Sequence, residues 1–372
     1  MRKISFILLA LLVCAVAHAE IRLGGLFSVT GPTSFLGMPE KQTLEMLVEE
    51  VNKSGGIKGE KIKLFIYDTQ GDENITINSF KRLVTVDKVI AVVGPSRTGE
   101  ALAIKNLAVK YKVPLISCAA SLDIVTPVSK YLYKTPQSDT QVAEKLLEYL
   151  QHKKKKNIAL ITEQSGYGST GRDAVLEYAK KFNMNIVADE KFRDKDKDMT
   201  SQLSNIKAKK PDAIICWAAG AAPAIIAKNA QQLGMGDLYM TQGVASMKFI
   251  ELAGDAANGI KLTAGRIVVA DQLPDSDKFK KTLVKYKNDF ESNFKSPVSA
   301  FGGHAYDAFI LFRAAYLKSG NNSEKLAGEL EKVRKLVGIA GEFNMSPSDH
   351  TGLTKDSFVI VEIKDGQFVL AN

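Results

Sequence analysis

The runs Val89-Ile90-Ala91-Val92-Val93 and Pro114-Leu115-Ile116 are apolar at every position rather than at every second one. A strand with one face in water alternates, so strands like these require a parallel sheet with helices packed on both faces. The intervening segments supply the helices. After a first strand at 21–27 and a loop at 31–37, Leu44, Leu47, Val48 and Val51 recur at helical spacing. Glu45, Glu49 and Glu50 face away, and Gly55-Gly56 ends the helix. The alternation continues as strand 61–67, helix 74–87, strand 89–93, helix 98–111 and strand 114–117.

A second, equivalent series opens after Gln137-Ser138-Asp139. It reads helix to 152, strand 157–162, helix 169–182, strand 185–189, helix 199–209, strand 212–217, helix 221–233 and strand 238–241. Two consecutive open sheets predict an α/β protein of two doubly wound domains. Past 266 the pattern predicts helices near 275–294, 299–319 and 324–337, then a hairpin, 357–363 and 367–370, turning at Asp365-Gly366. A late helical block that returns to cover the first sheet accounts for its place after the second series.

The first 19 residues stand apart. Arg2 and Lys3 precede an uncharged apolar run from Ile4 to Ala17 and the small-x-small triplet Ala17-His18-Ala19, which reads as a secretory signal peptide cleaved after Ala19. Cys14 leaves with it, and Val13 stands where a lipoprotein site needs a small residue, so a soluble periplasmic protein is expected. The remaining cysteines, Cys118 and Cys216, each end an apolar run and read as buried free thiols or as a disulfide. With 45% hydrophobic and 24% charged residues the chain has material for a real core. The longest later uncharged stretch, 213–227, is shorter than the ~20 residues a membrane helix needs and is interrupted by Gly220 and Pro223. The net charge of +9 is spread over lysines at 153–156, 207–210 and 278–287 near helix ends, the pattern of solvated surface rather than of nucleic-acid binding.

Gly166-Tyr167-Gly168-Ser169-Thr170-Gly171 is a literal G-x-G-x-x-G with Asp189 about 20 residues on, a dinucleotide fingerprint taken alone. Glu163-Gln164-Ser165 separates it from the strand, however, which favours a cleft-lining loop. No H-E-x-x-H or G-x-S-x-G occurs, His152 sits among lysines, and His304 reads as a packed helical histidine or a cleft residue. No catalytic residue, metal or cofactor is expected. The loop Gly94-Pro95-Ser96-Arg97-Thr98-Gly99-Glu100 joins a strand to a helix with Thr98 at the N-cap, where a hydroxyl and exposed N–H groups cap the helix or receive a carboxylate. The next strand ends in Ser117-Cys118-Ala119-Ala120-Ser121, a second small polar loop at the same edge.

GLFSVTGPTSFLG, NKSGGIKGEKIKLFIYDTQGD, VVGPSRTGEALA, VPLISCAAS, KTPQSD and ALITEQSGYGSTGRDA, in this order and spacing, resemble the leucine/isoleucine/valine-type periplasmic solute-binding proteins over essentially the whole exported chain. The resemblance implies the type I periplasmic binding fold, with two lobes joined by a three-segment hinge. One lobe is then 20–138 plus 266–352, and the other 139–265 plus 353–372. It also implies a ligand enclosed between the lobes and delivered by a monomer to the permease of an ABC transporter in the inner membrane. A carboxylate would be held by Thr98, the backbone at Ala119 and Ser121, with Tyr167 contributed from the second lobe. Three positions depart from the family: Leu36 beside Phe35 where a tyrosine is frequent, Ala221 and Ala222 where aromatic residues occur, and Gln242 where an acid receives an amino acid's ammonium. Gln242 accepts a hydrogen bond but neutralises no charge, and an unpaired ammonium in a closed cleft costs about 2–5 kcal/mol. Branched-chain amino acids therefore compete with aromatic or keto acids as ligands, with Glu163 or Asp123 the acids that could replace the missing charge. A ligand-sensing domain for a signalling partner and a Rossmann-type oxidoreductase are the alternative functions.

Overall fold

Strands β1 (Ile21–Phe27), β2 (Ile62–Asp68), β3 (Ala91–Val93), β4 (Leu115–Ser117) and β5 (Leu132–Lys134) form an all-parallel sheet in the order β2-β1-β3-β4-β5. The protein is known here from a computed structural model that describes residues 20–193 and 195–371, so the signal peptide expected at 1–19 lies outside the described residues. Successive residues of the apolar runs face opposite sides. Ala91 and Val93 join one core with α1 (Ser34–Lys53), whereas Val92 joins the other with α2 (Glu73–Thr85) and α3 (Thr98–Tyr111). That division is why the runs 89–93 and 114–116 carry no polar residue. Helix α1 begins at Ser34, so half of the loop expected at 31–37 is its first turn.

The second lobe follows as α4 (Asp139–His152), β6 (Asn157–Glu163), α5 (Gly166–Lys181), β7 (Asn185–Phe192), α6 (Thr200–Ala208) and β8 (Ala213–Trp217). It continues through α7 (Ala222–Gln232), β9 (Leu238–Met240), α8 (Met247–Ala253) and β10 (Lys261–Gly265). Then come α9 (Lys280–Phe294), α10 (Ala300–Ser319), α11 (Ser323–Leu330), a ribbon of β11 (Leu336–Val337) with β12 (Glu342–Phe343), and the hairpin β13 (Phe358–Lys364) and β14 (Gln367–Leu370). The sheet order is β14-β13-β10-β9-β8-β6-β7, parallel from β10 to β7, with the hairpin added antiparallel along β10. The stretch 213–227 is thus a strand and a helix, and among the described residues no helix is long and apolar enough to cross a membrane.

Phe309, Phe312 and Tyr316 of α10 and Leu326 and Leu330 of α11 fill the core under α1, so the late helical block does return to the first sheet. It returns later than the expected boundary at 266. Ile267, Val269 and Leu273, and then Leu283, Tyr286 and Phe290 of α9, lie in the core of the second sheet. The apolar stripe of 266–294 suits either sheet, and it stays with β10, the strand it has just left, because consecutive elements pack side by side. Cys118 and Cys216 are both free and buried in different cores, which removes the disulfide alternative.

The segments that pass between the lobes are tied to one another. Gln137 Nε2 donates to the Ala340 carbonyl at 2.9 Å, and Thr135 Oγ1 to that of His304 at 3.0 Å. Fully buried Asp307 accepts from the N–H groups of Ile339 at 2.6 Å and Ala340 at 2.7 Å. Burial outweighs these two bonds and pushes its carboxyl up to about 8. An acid whose folded pKa is raised contributes stability that is complete below the unfolded value, near 4, and lost as pH rises through about 8. Urea denaturation between pH 4 and pH 8 is therefore expected to show the wild type losing stability relative to Asp307→Asn as pH increases; a constant difference would contradict the assignment.

Candidate ligand-binding cleft

Open parallel sheets hold ligands beyond the carboxyl ends of their strands, at the point where strand order reverses. In the first sheet β1 lies between β2 and β3, and in the second β6 lies between β7 and β8. The loops leaving β1, β3 and β4 face those leaving β6, β8 and β9 across a cavity of about 240 Å³. The lobes meet across it. Arg97 Nη2 of the first lobe lies 3.8 Å from Glu163 Oε1 of the second, and a Cβ at Gly166 would sit 3.2 Å from Thr98 Cγ2.

Leu36, Thr98, Ala119, Tyr167 and Gln242 all line this cavity; Ser121 and Ala222 do not. Ser121 lies outside the cavity wall, and its hydroxyl oxygen accepts the Asp123 N–H at 3.1 Å, capping the short turn Leu122–Ile124. Ala222 is buried in the second core as the first residue of α7, and Ala219, at the start of the same loop, takes its place in the wall. The backbone of Ala119 is already engaged, since its N–H donates to Ser117 Oγ at 3.1 Å.

The other first-lobe loop places more polar groups on the wall. Arg97, not Thr98, is the N-cap of α3, and the Glu100 carboxylate turns back to accept the Arg97 N–H at 3.0 Å. With the cap supplied by Glu100, the buried Thr98 hydroxyl is not spent on capping and stands at the positive end of the helix. Arg97 adds a guanidinium at the rim, where its Nη1 donates to the Gly71 carbonyl at 3.2 Å. Behind the loop, Ser96 donates to buried Glu40, whose carboxyl burial raises well above the ordinary range. Residue patterns alone did not single out Arg97, Ser96 or Phe301. Phe301 comes from α10, meets Phe35 edge-on with ring centroids 5.6 Å apart, and no local motif announces it.

The floor is made by Gln242 and His304, each buried and lining the cavity. Burial first, and then the charge of Lys134, lower His304 to about 3, so the ring is neutral at physiological pH. Glu163 belongs to the opposite wall and accepts from the Ala219 N–H at 3.4 Å as well as facing Arg97.

Gly166–Gly171 opens α5 rather than preceding it, and its residues are spent on packing and closure. Gly171 lies against Trp217, Gly166 against the first lobe, and Tyr167 reaches Thr241 Oγ1 at 2.9 Å. Asp189, the acid a ribose would require, accepts instead from Arg172 Nε at 2.9 Å.

Known proteins share this arrangement. The sequence profile of a family described as periplasmic binding protein matches residues 20–367. The Leu/Ile/Val-binding protein BraC3 of Rhizobium johnstonii is 25% identical over 360 residues, covering 95% of each chain. An extracellular ligand-binding receptor from Rhodopseudomonas palustris HaA2 superposes with a TM-score of 0.88 at 27% identity, covering 95% of this chain and 100% of that one. The isoleucine complex of the branched-chain amino acid transporter substrate binding protein LivJ from Streptococcus pneumoniae shares the fold, with a TM-score of 0.84 at 24% identity over 94% of this chain and 98% of that one. Two doubly wound sheets facing each other across a shared cavity, with a profile match along nearly the whole described chain, place this protein in the periplasmic binding protein family.

Proposed function

We propose that this receptor encloses a small carboxylate-bearing molecule, a hydrophobic amino acid or an aromatic or keto acid, and hands it to the permease of an ABC importer. In this reading the chain is exported with cleavage after Ala19, works in the periplasm as a monomer, and catalyses no reaction. The observation that carries the ligand class is the joint placement of the α3 N-terminus, the Thr98 hydroxyl, which does not cap the helix, and Arg97 on one wall of a cavity of about 240 Å³ between the lobes. Backbone N–H groups at a helix start, a hydroxyl and a guanidinium all favour negative charge. A volume of that size suits a ligand of roughly ten heavy atoms, as expected for a small-molecule site.

Calorimetry with leucine, phenylalanine, 4-methyl-2-oxopentanoate and phenylpyruvate, each beside its primary amide, tests the reading. Acids are expected to bind and amides to fail. Thr98→Ala is expected to weaken the acids by about 10- to 150-fold, the equivalent of losing a hydrogen bond to a charged group. Amides that bind as tightly as their acids would overturn it.

A further inference from the structure

Three buried polar atoms at the cleft floor, Gln242 Oε1, Gln242 Nε2 and His304 Nδ1, have no hydrogen-bond partner among the described residues. They come from opposite lobes, Gln242 from the loop after β9 and His304 from α10, and both residues also border a second void of about 10 Å³ behind the floor. Gln242 is 6% exposed and His304 7%. Buried polar atoms are ordinarily paired, so three unpaired ones together at the floor of a cleft call for a partner that enters it.

We propose that Gln242 and His304 form an uncharged hydrogen-bonding floor that accepts a neutral oxygen of the ligand, so that the cleft selects hydroxy and oxo acids over amino acids. The inference rests on the carboxylate reading above and adds the group beside the carboxylate. A glutamine amide offers one donor-bearing nitrogen and one acceptor, and a neutral imidazole adds one ring nitrogen of either role, which matches a hydroxyl or a ketone. An ammonium brings three donors and a full charge, for which the floor has no anion. Behind His304, fully buried Lys134 donates from Nζ to the Pro136 carbonyl at 2.6 Å, and burial lowers its amine to about 7, so it brings no negative charge to meet an ammonium. The carboxylates near the cleft lie on its walls, behind its loops or at its rim, not in the floor. Glu163 faces Arg97 and the Ala219 N–H, and Glu100 accepts from Ser28, Thr76 and the Arg97 N–H. Ser96 donates to Glu40, and Glu73 lies at the exposed rim.

The test is a titration of the exported chain, stripped of co-purified ligand, with two matched series. One is leucine, 2-hydroxy-4-methylpentanoate, 4-methyl-2-oxopentanoate and 4-methylpentanoate; the other is phenylalanine, 3-phenyllactate, phenylpyruvate and 3-phenylpropanoate. In at least one series the hydroxy or oxo acid is expected to bind about tenfold or more tighter than both the amino acid and the acid lacking the oxygen, because a site built to hydrogen-bond a group rejects analogues without it. Gln242→Glu, checked for folding by its melting curve, is expected to swing preference toward the amino acid by about tenfold or more; if that variant does not fold, the wild-type series alone decides. An amino acid that binds tightest to the wild type would overturn the inference and leave the carboxylate reading standing. Equal binding by the acids lacking the oxygen would overturn it too, with water alone satisfying the floor. Failure of every acid would remove the carboxylate reading and the inference together.

Discussion

Gly166→Val is expected to weaken ligand binding by about 5- to 150-fold, the equivalent of about 1–3 kcal/mol of overpacking, while the ligand-free protein keeps its stability. The site is an unusual one for a glycine, because the atoms that crowd it belong to the other lobe. A Cβ there would lie 3.2 Å from Thr98 Cγ2 and 3.4 Å from the Gly99 nitrogen. Only the shut form suffers, so valine penalises closure and spares each lobe. Gly166 is the first residue of α5 and its φ is not in the left-handed region, so a branched side chain meets no backbone strain. A ligand held by both walls favours the shut form only through contacts that exist there. Small-angle scattering should therefore show the wild type contracting with ligand and the valine variant remaining extended under the same concentration. Gly166→Ala, which adds the Cβ alone, should fall between them. Wild-type affinity in the valine variant would mean that the lobes bind ligand without approaching this closely.

Gly171→Ala should act on the opposite quantity, lowering stability by about 3 kcal/mol, the upper end of the overpacking range. A Cβ at this position would come within 1.9 Å of Trp217 Cε2 and 2.1 Å of Nε1. The indole is fully buried on β8 among Val175, Leu160 and Ile215, and it has no open side toward which to retreat. The helix must instead lift off the sheet. Because Trp217 is the single tryptophan of the chain, its emission reports this contact without labelling. The urea midpoint followed by tryptophan fluorescence should drop sharply in Gly171→Ala, and Trp217→Leu in the same chain, followed by far-UV circular dichroism because it removes the only tryptophan, should restore part of the loss, a coupling that distant sites do not show. An unchanged midpoint would mean that α5 and β8 are less tightly packed than described.

These two glycines illustrate what local pattern can and cannot convey. Unbroken apolar runs at 89–93 and 114–116 announce β3 and β4, because a strand buried on both faces has little room for polar residues. The same logic locates the loops that end those strands, and with them Thr98 and Ala119. A G-x-G-x-x-G run, by contrast, is equally compatible with a pyrophosphate, a neighbouring indole or an opposing lobe, and only the fold decides among them. Ser121 has the right chemistry in the right loop, yet it lies outside the cavity wall, where its hydroxyl oxygen caps a three-residue turn. Phe301 and His304 reach the cleft from a helix more than 100 residues beyond the second-lobe loop that contributes Tyr167, so no spacing rule connects them. The boundary at 266 shifts for a related reason, since an apolar stripe states that a helix is buried but not beneath which sheet.

The order in which these cores are filled has a consequence in time. A chain emerging from its N-terminus completes the five strands of the first sheet by Lys134, but the face that α1 covers in part lacks the rest of its core until Phe309, Phe312, Leu326 and Leu330 have been made. The second sheet waits longer still, for Val361, Ile363 and Phe368 of the hairpin that borders β10. Lobes of a multidomain chain commonly finish one after the other as synthesis proceeds. Here both remain unfinished until nearly the same moment, so neither lobe can close while much of the chain is still to be made.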